Sequence, residues 1–267
     1  SPAMRPARRA IRLRSALPLL LLLAAVVLPA LAPRGAGAER RVLDTGRLSV
    51  WRDTQLVRVE DFSFTRLGDS LLVRAVSAPW RPPGTPLRFD KRAALIAGAP
   101  DYDILSYSSM LETAADTTRR GLSIASGDTA FTLWRQVGNH GAGDVMAVPP
   151  GRMYVFEAPL FSLFGLVGWT LAGRTLDHWP VHALILGARD TLVQITVTDV
   201  GTQELTWNGQ PVSTRKLLIA DRETVFATWF TSDGRMLRLE QPRLGVRVER
   251  DAVAPAPAPR DAPARRK

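Results

Sequence analysis

The 267-residue chain has no cysteine, which excludes disulfides, thiolate metal sites, a cysteine nucleophile and a lipidated N-terminal cysteine. Whatever folds must therefore be stable from its core alone. Recognisable catalytic signatures are also missing. The nearest string to a G-x-S-x-G elbow, Gly121-Leu-Ser123-Ile-Ala125, lacks the second glycine. No phosphate-cradling glycine loop or dinucleotide fingerprint is present. Histidine is scarce, with only His140, His178 and His182. The pair His178-Trp-Pro-Val-His182 has the i, i+4 spacing of a zinc helix, yet Pro180 opposes a helix and Trp179 stands where the general-base glutamate would be. On a strand the two rings lie ~13 Å apart, too far for one ion. A metal-dependent hydrolase built on Asp177, His178 and His182 is thus disfavoured. Asp101-Tyr102-Asp103 reads as a turn, and Asn139 to Asp144 as a plain polar hairpin loop. The chain is read as non-enzymatic, with no catalytic residues, no metal and no cofactor.

Lysine is rare as well: three of the 35 basic residues. The formal charge of +10 does not describe a basic face. Residues 1–38 hold six arginines and no acid, and five basic residues lie beyond Glu249, leaving 24 basic against 23 acidic over 39–249. The high isoelectric point is made at the two ends, which argues against nucleic acid as a partner. At the N-terminus, Ser1-Pro2-Ala3 reads as a start-site remnant before Met4. Arginines, an uncharged run from Ala16 to Ala32 and then Ala36-Gly37-Ala38 follow. This is the layout of a secretory signal peptide cleaved after Ala38, with an uncleaved anchor as the rival. Residues 251–267 read as a disordered Ala/Pro-rich basic tail. Between them, 39–250 suits a single antiparallel β domain.

Helical periodicity is scarce, and what the chain has in quantity is turn chemistry between alternating runs. Closing Gly68-Asp69 as a two-residue turn sets Phe64 opposite Val73 and Phe62 opposite Ala75. Gly127-Asp128 sets Ile124 opposite Phe131 and Leu122 opposite Leu133, while Asn208-Gly209 sets Leu205 opposite Val212. Asp233-Gly234 sets Phe230 opposite Leu237 and Trp229 opposite Arg238, the latter as a cation–π staple on the outer face. A switch of apolar parity between Val59 and Phe62 suggests a bulge or corner. The fold class that follows is mainly β: a large curved antiparallel sheet, or unclosed β-barrel, built from hairpins.

One short hydrophobic helical segment breaks this pattern, at Ala158–Leu171, with Leu160, Phe161, Phe164, Val167 and Leu171 able to share a face. Gly165 and Gly168 weigh against the helix by about 1 kcal/mol each. The aromatic run around it is either core or the wall of an apolar cavity on the concave face of the sheet. Phe156, Leu160, Phe161, Phe164 and Trp169 are its ligand-cavity candidates.

Several features together resemble a family. They are Tyr107 with polar neighbours, a hydrophobic stretch running to Gly173-Arg174-Thr175-Leu176, Trp-x-Gly turns, and a close on Trp229, Asp233, Gly234, Arg235 and Arg238. Over most of 42–250 the chain is similar to uncharacterised secreted β domains of bacteria, domains of unknown function. These look like the periplasmic lipoprotein-carrier (LolA/LolB-like) fold. The resemblance implies an unclosed barrel with helical cover and an acyl or apolar ligand in the concavity. It brings no catalytic residues. The expectation is an exported protein of the periplasm or cell envelope that binds a lipid or other apolar ligand. The alternative is an envelope scaffold with a packed core, meeting an envelope protein or membrane surface through its surface and tail.

Overall fold

A computed structural model describes residues 40–252, residue 176 excepted; the expected leader and residues 253–267 of the expected tail lie outside the described residues. The first half is a meander of eight strands: β1 (Arg40–Arg52), β2 (Gln55–Leu67), β3 (Ser70–Pro79), β4 (Lys91–Gly98), β5 (Asp103–Glu112), β6 (Thr117–Ser123), β7 (Ala130–Val137) and β8 (His140–Ala147). After β9 (Met153–Glu157), a 3-10 turn (Ser162–Phe164) runs directly into α1 (Gly165–Leu171). The chain then returns through β10 (His178–Leu186), β11 (Thr191–Trp207), β12 (Gln210–Ala220), β13 (Val225–Phe230), β14 (Met236–Gln241) and β15 (Val246–Arg250). All fifteen strands form one unclosed sheet in the order β8 to β1, then β15 down to β9, so the first and last strands pair in the middle.

Every pairing is antiparallel except β9 with β10, which are parallel. Parallel neighbours need a long crossover, and the crossover here is the segment carrying α1. That explains why a hairpin sheet contains a helix at all. The helical segment is not amphipathic. From Ser162 to Leu171 every side chain is buried except the half-buried Trp169, so it is a plug with no solvent face. The two glycines that weigh against a helix are what let it fit. A Cβ on Gly165 would lie 2.9 Å from the Phe64 ring, and one on Gly168 would lie 2.5 Å from the Gly234 carbonyl and closer still to Phe230.

Two of the four expected registers hold in full, and a third holds only in its offset. Phe64 pairs with Val73 and Phe62 with Ala75. Leu205 pairs with Val212 across a turn in which Asn208 (φ 51°) and Gly209 (φ 74°) both take the left-handed conformation. The ladder from Thr118–Val137 to Gly121–Trp134 follows the expected offset but stops before Leu122. Beyond it, the Ala125 amide donates to the Asp128 carboxylate at 2.7 Å in a longer turn.

The Asp233-Gly234 hairpin differs. Thr231 N–H donates to the Arg235 carbonyl and Gly234 N–H to the Thr231 carbonyl, both at 2.9 Å, giving a three-residue loop with Gly234 at φ 87°. Phe230 therefore pairs with Met236, not Leu237, and a bulge separates that pair from Trp229–Arg238. The bulge sends Leu237 to the outer face, where it joins Trp229, Ala227 and Leu205 in a second small core. The cation over the Trp229 ring is Lys216, at 4.9 Å, while Arg238 bonds Glu249 at 2.5 Å. Two further readings change. His140 to Ala147 is strand β8. The parity switch is no bulge at Val59–Phe62: Glu60 occupies the inward position there, and the extra residues in the ladder are Val57 on β2 and Leu43 on β1.

The main core fills the concave side, between the sheet and the plug. Strand β9 is an edge by hydrogen bonding, yet all five of its residues are buried. The sheet curls until this edge packs against the inner face of β4, β5 and β6 and is hidden from solvent.

Candidate functional site

The chain entering the plug, from Phe156 to Phe164, forms one wall of a cavity of about 450 Å³. Phe156 and Phe164 stack there with ring centroids 4.1 Å apart, and Phe226 tilts against Phe164 at 4.8 Å. Leu160 and Phe161 complete that side. Ile185 and Leu186 at the end of β10, and Val246 on β15, face them. The rim includes Leu244, 57% exposed, so an apolar wall reaches solvent. The polar lining residues are Arg52, Arg58, Glu157, Asp221, Thr224 and Gln241, of which Arg58 is bound to Asp90 and Asp221 accepts from the Glu223 and Thr224 amides. Of the five cavity candidates, Phe156, Leu160, Phe161 and Phe164 lie on this cavity. Trp169 does not; it stacks on Phe64 at 6.0 Å, on another side of the plug.

Sequence reasoning missed a charged cluster behind the Phe156 wall. Glu157, at the end of β9, accepts from Lys91 Nζ at 2.5 Å and from Arg120 Nη1 at 2.6 Å. The Tyr107 hydroxyl donates to its other oxygen. Arg120 also donates to the Gly187 carbonyl. All four side chains are buried. Burial alone would raise the Glu157 carboxyl, but Lys91 and the other donors hold it below its ordinary value. Burial lowers Lys91 despite the pull of Glu157, and pushes the Tyr107 phenol well up. The cluster ties the buried edge β9 to β4, β5 and β6, closing the curl with side chains where the backbone ladder is open. Lys91 could have been noticed in KRAALIAG, since it shares parity with the inward Ala93, Leu95 and Ala97.

A second buried carboxylate grips the plug itself. Glu60 accepts from the Phe161 amide at 2.6 Å and the Ser162 amide at 3.0 Å. At the opposite end, Arg215 donates to the Leu171 carbonyl at 2.8 Å while paired with Asp199 at 2.6 Å. An acid at the N-terminal end and a cation at the C-terminal end satisfy orphan backbone groups and match the dipole.

His178 and His182 sit on β10, four residues apart, with His178 Nδ1 3.1 Å from the Thr198 hydroxyl. Among the described residues no three His, Asp or Glu side chains come together in a metal-binding arrangement. Nor is any described helix long and apolar enough to cross a membrane.

No family model and no curated protein matches the sequence. Among solved structures, the chain is similar to the β-barrel-like protein of domain of unknown function DUF1849 from Brucella abortus. That similarity covers 80% of this chain and 95% of the other, at 10% identity and a TM-score of 0.47.

Proposed function

We propose that this chain is an exported, non-catalytic cell-envelope protein that binds a lipid or other apolar ligand in the cavity beside the plug. The observation that supports this is the cavity of about 450 Å³ walled by Phe156, Phe164 and Phe226 and reaching the surface at Leu244. A concave, mostly apolar site with a few polar groups at its margin is the usual form of a small-ligand pocket. The resemblance to lipoprotein-carrier folds points to an acyl chain as occupant. In this reading the buried Lys91, Tyr107 and Arg120 have a structural role, each bonding Glu157, which itself lies in the cavity lining.

Displacement of a fluorescent fatty acid tests the proposal. Binding in the micromolar range is expected, weakened at least tenfold by Ile185→Trp, which places a large ring in the cavity from a residue that is 36% exposed. Absence of binding, or equal binding by the variant, would return the interior to plain core and favour the envelope scaffold. Export is tested separately, by expressing the full chain in a bacterial host. A periplasmic product lacking residues 1–38 is expected.

A further inference from the structure

We propose that the outer face of the sheet over β3 to β7 carries a groove for an acidic saccharide, a chain of uronic-acid rings held by an exposed indole and unpaired guanidinium groups. The groove stands apart from the cavity reading, because no residue that lines it also lines the cavity.

Register places the groove. Arg74 on β3 pairs with Ala94 on β4, Ala94 with Ser108 on β5, Ser108 with Gly121 on β6, and Gly121 with Trp134 on β7. These residues stand in one row across the sheet, while Leu95, Tyr107 and Leu122 beside them point into the core. Three small residues therefore make a floor, with Arg74 and Trp134 at its ends, four interstrand spacings or about 19 Å apart. Arg92, Met110 and Arg119, two residues along their strands, form the next row and raise one wall. The depression has a volume of about 420 Å³. Gly121 decides its shape. A Cβ there would lie 2.5 Å from the Trp134 ring, so the indole lies against the backbone of β6. Covering a strand glycine occupies one side of the ring. Trp134 is nonetheless 41% exposed and still presents its ring to solvent.

The charges in the groove are of one sign. Arg92 is bonded to Glu112 at 2.6 Å, whereas Arg74 and Arg119 are exposed and, among the described residues, bonded to no carboxylate. No acidic residue lines the groove, although residues 39–249 as a whole are nearly balanced in charge. These groups select a ligand class. The backbone groups of the inner strands are spent on the ladder, so a ligand lying across the face meets side chains only. A peptide strand would pair at a sheet edge instead. The groove offers forked N–H donors that match a carboxylate, the Ser108 hydroxyl and the face of an indole. A uronic-acid ring carries the complement of each: a carboxylate, hydroxyls, and a C–H face attracted to the negative face of an aromatic ring. Nucleic acid also stacks on aromatics, but its phosphate on every nucleotide calls for a long basic stripe, which two unpaired guanidinium groups do not make.

Calorimetric titration of the full chain with tetragalacturonate tests the groove, with the methyl ester of the same oligosaccharide as the uncharged control. The acid is expected to bind, and the ester to bind at least tenfold more weakly. Arg74→Ala and Arg119→Ala should each weaken binding of the acid roughly tenfold, since each removes one charge-assisted contact. Trp134→Ala should weaken acid and ester alike, because both use the same ring face. Should that variant fail to fold once Gly121 is uncovered, the two arginine variants, at exposed positions, carry the test. Ile185→Trp, which fills the cavity, is expected to leave saccharide binding unchanged, so the two sites fail or stand separately. No binding, equal binding of acid and ester, or unchanged binding in both arginine variants overturns the proposal. So does equal affinity for a hexaglutamate peptide or a hexathymidylate, either of which would make the face a general anion surface. Loss of saccharide binding in Ile185→Trp would move the ligand to the cavity and overturn it as well.

Discussion

Two buried glutamates face the same concave interior, and they are buried on opposite terms. Glu157 takes hydrogen bonds from a lysine, an arginine and a tyrosine, each from a different strand. Glu60 takes them from two consecutive backbone amides at the start of the plug. The first is compensated by formal charges in a low-dielectric setting, so its anion is the favoured form. For the second, burial outweighs the hydrogen bonds from Ser162 and Phe161 and the pull of Arg58, so its anion is disfavoured. What a buried carboxylate does for a fold depends on what faces it, not on the burial. Glu157 fastens an edge strand to the far wall; Glu60 anchors the start of the plug to β2.

The largest effect that would sharpen this contrast is the loss of Glu157. Glu157→Ala leaves Lys91 and Arg120 buried without their carboxylate, which costs about 3–5 kcal/mol. Urea denaturation should show it, together with exposure of the β9 edge as enhanced amide exchange at Val155 and Glu157. Glu60→Ala removes an acceptor from two amides and should cost about 1–3 kcal/mol. Equal losses would erase the distinction.

The pH dependence separates the two more sharply, because the signs oppose. The folded carboxyl of Glu60 sits above its ordinary 4.5, at about 7, so its contribution is fully present below 4.5 and is lost as the pH rises to 7. Glu157 lies below its ordinary value, so its contribution is present above 4.5 and lost as the pH falls. Glu60→Gln should therefore gain on the parent protein by about 1.4 kcal/mol per pH unit between 5 and 7. Glu157→Gln should flatten the acid limb instead. Stability measured at each pH by chemical denaturation checks both.

Gly168→Ala bears on the hinge of the comparison, the fit of the plug against the sheet. Its new methyl would meet a backbone carbonyl at 2.5 Å, which cannot rotate aside as a flexible side chain would. A loss of about 1–3 kcal/mol is expected from such overpacking, seen as a lowered urea midpoint with an unchanged slope.

Much of the sheet was legible because alternation and turn chemistry are local. Phe64 opposite Val73 and Leu205 opposite Val212 follow from two residues at a turn and a period of two. The Asp233 loop misled because its third residue is explained by Gly168, far away in the chain. The same limit hid the carboxylates. Glu60 breaks an apolar parity that Phe62 and Phe64 set, and Lys91 does so in its own strand. Each reads alone as a polar residue on a half-buried strand. Only the curl brings Lys91 to Glu157 across 66 positions and Glu60 to the plug across about 100. Of the cavity wall, Phe156, Leu160, Phe161 and Phe164 come from one hydrophobic run, whereas Phe226, Ile185 and Val246 come from three separate strands whose inward parity carries no mark of a cavity.

The smallest effect supplies the control. Asp61 is bonded by Arg47 at 2.6 and 2.9 Å, geometry as good as at Glu157, yet the two side chains are 36% and 44% exposed. Water already solvates both charges, so forming the pair gains little and removing one partner strands nothing. Asp61→Asn should cost about 0.2–1 kcal/mol, shrinking further in 1 M salt. If it cost as much as Glu157→Ala, bond geometry and not burial would be setting the energy, and the distinction between the two interior glutamates would rest on the wrong variable.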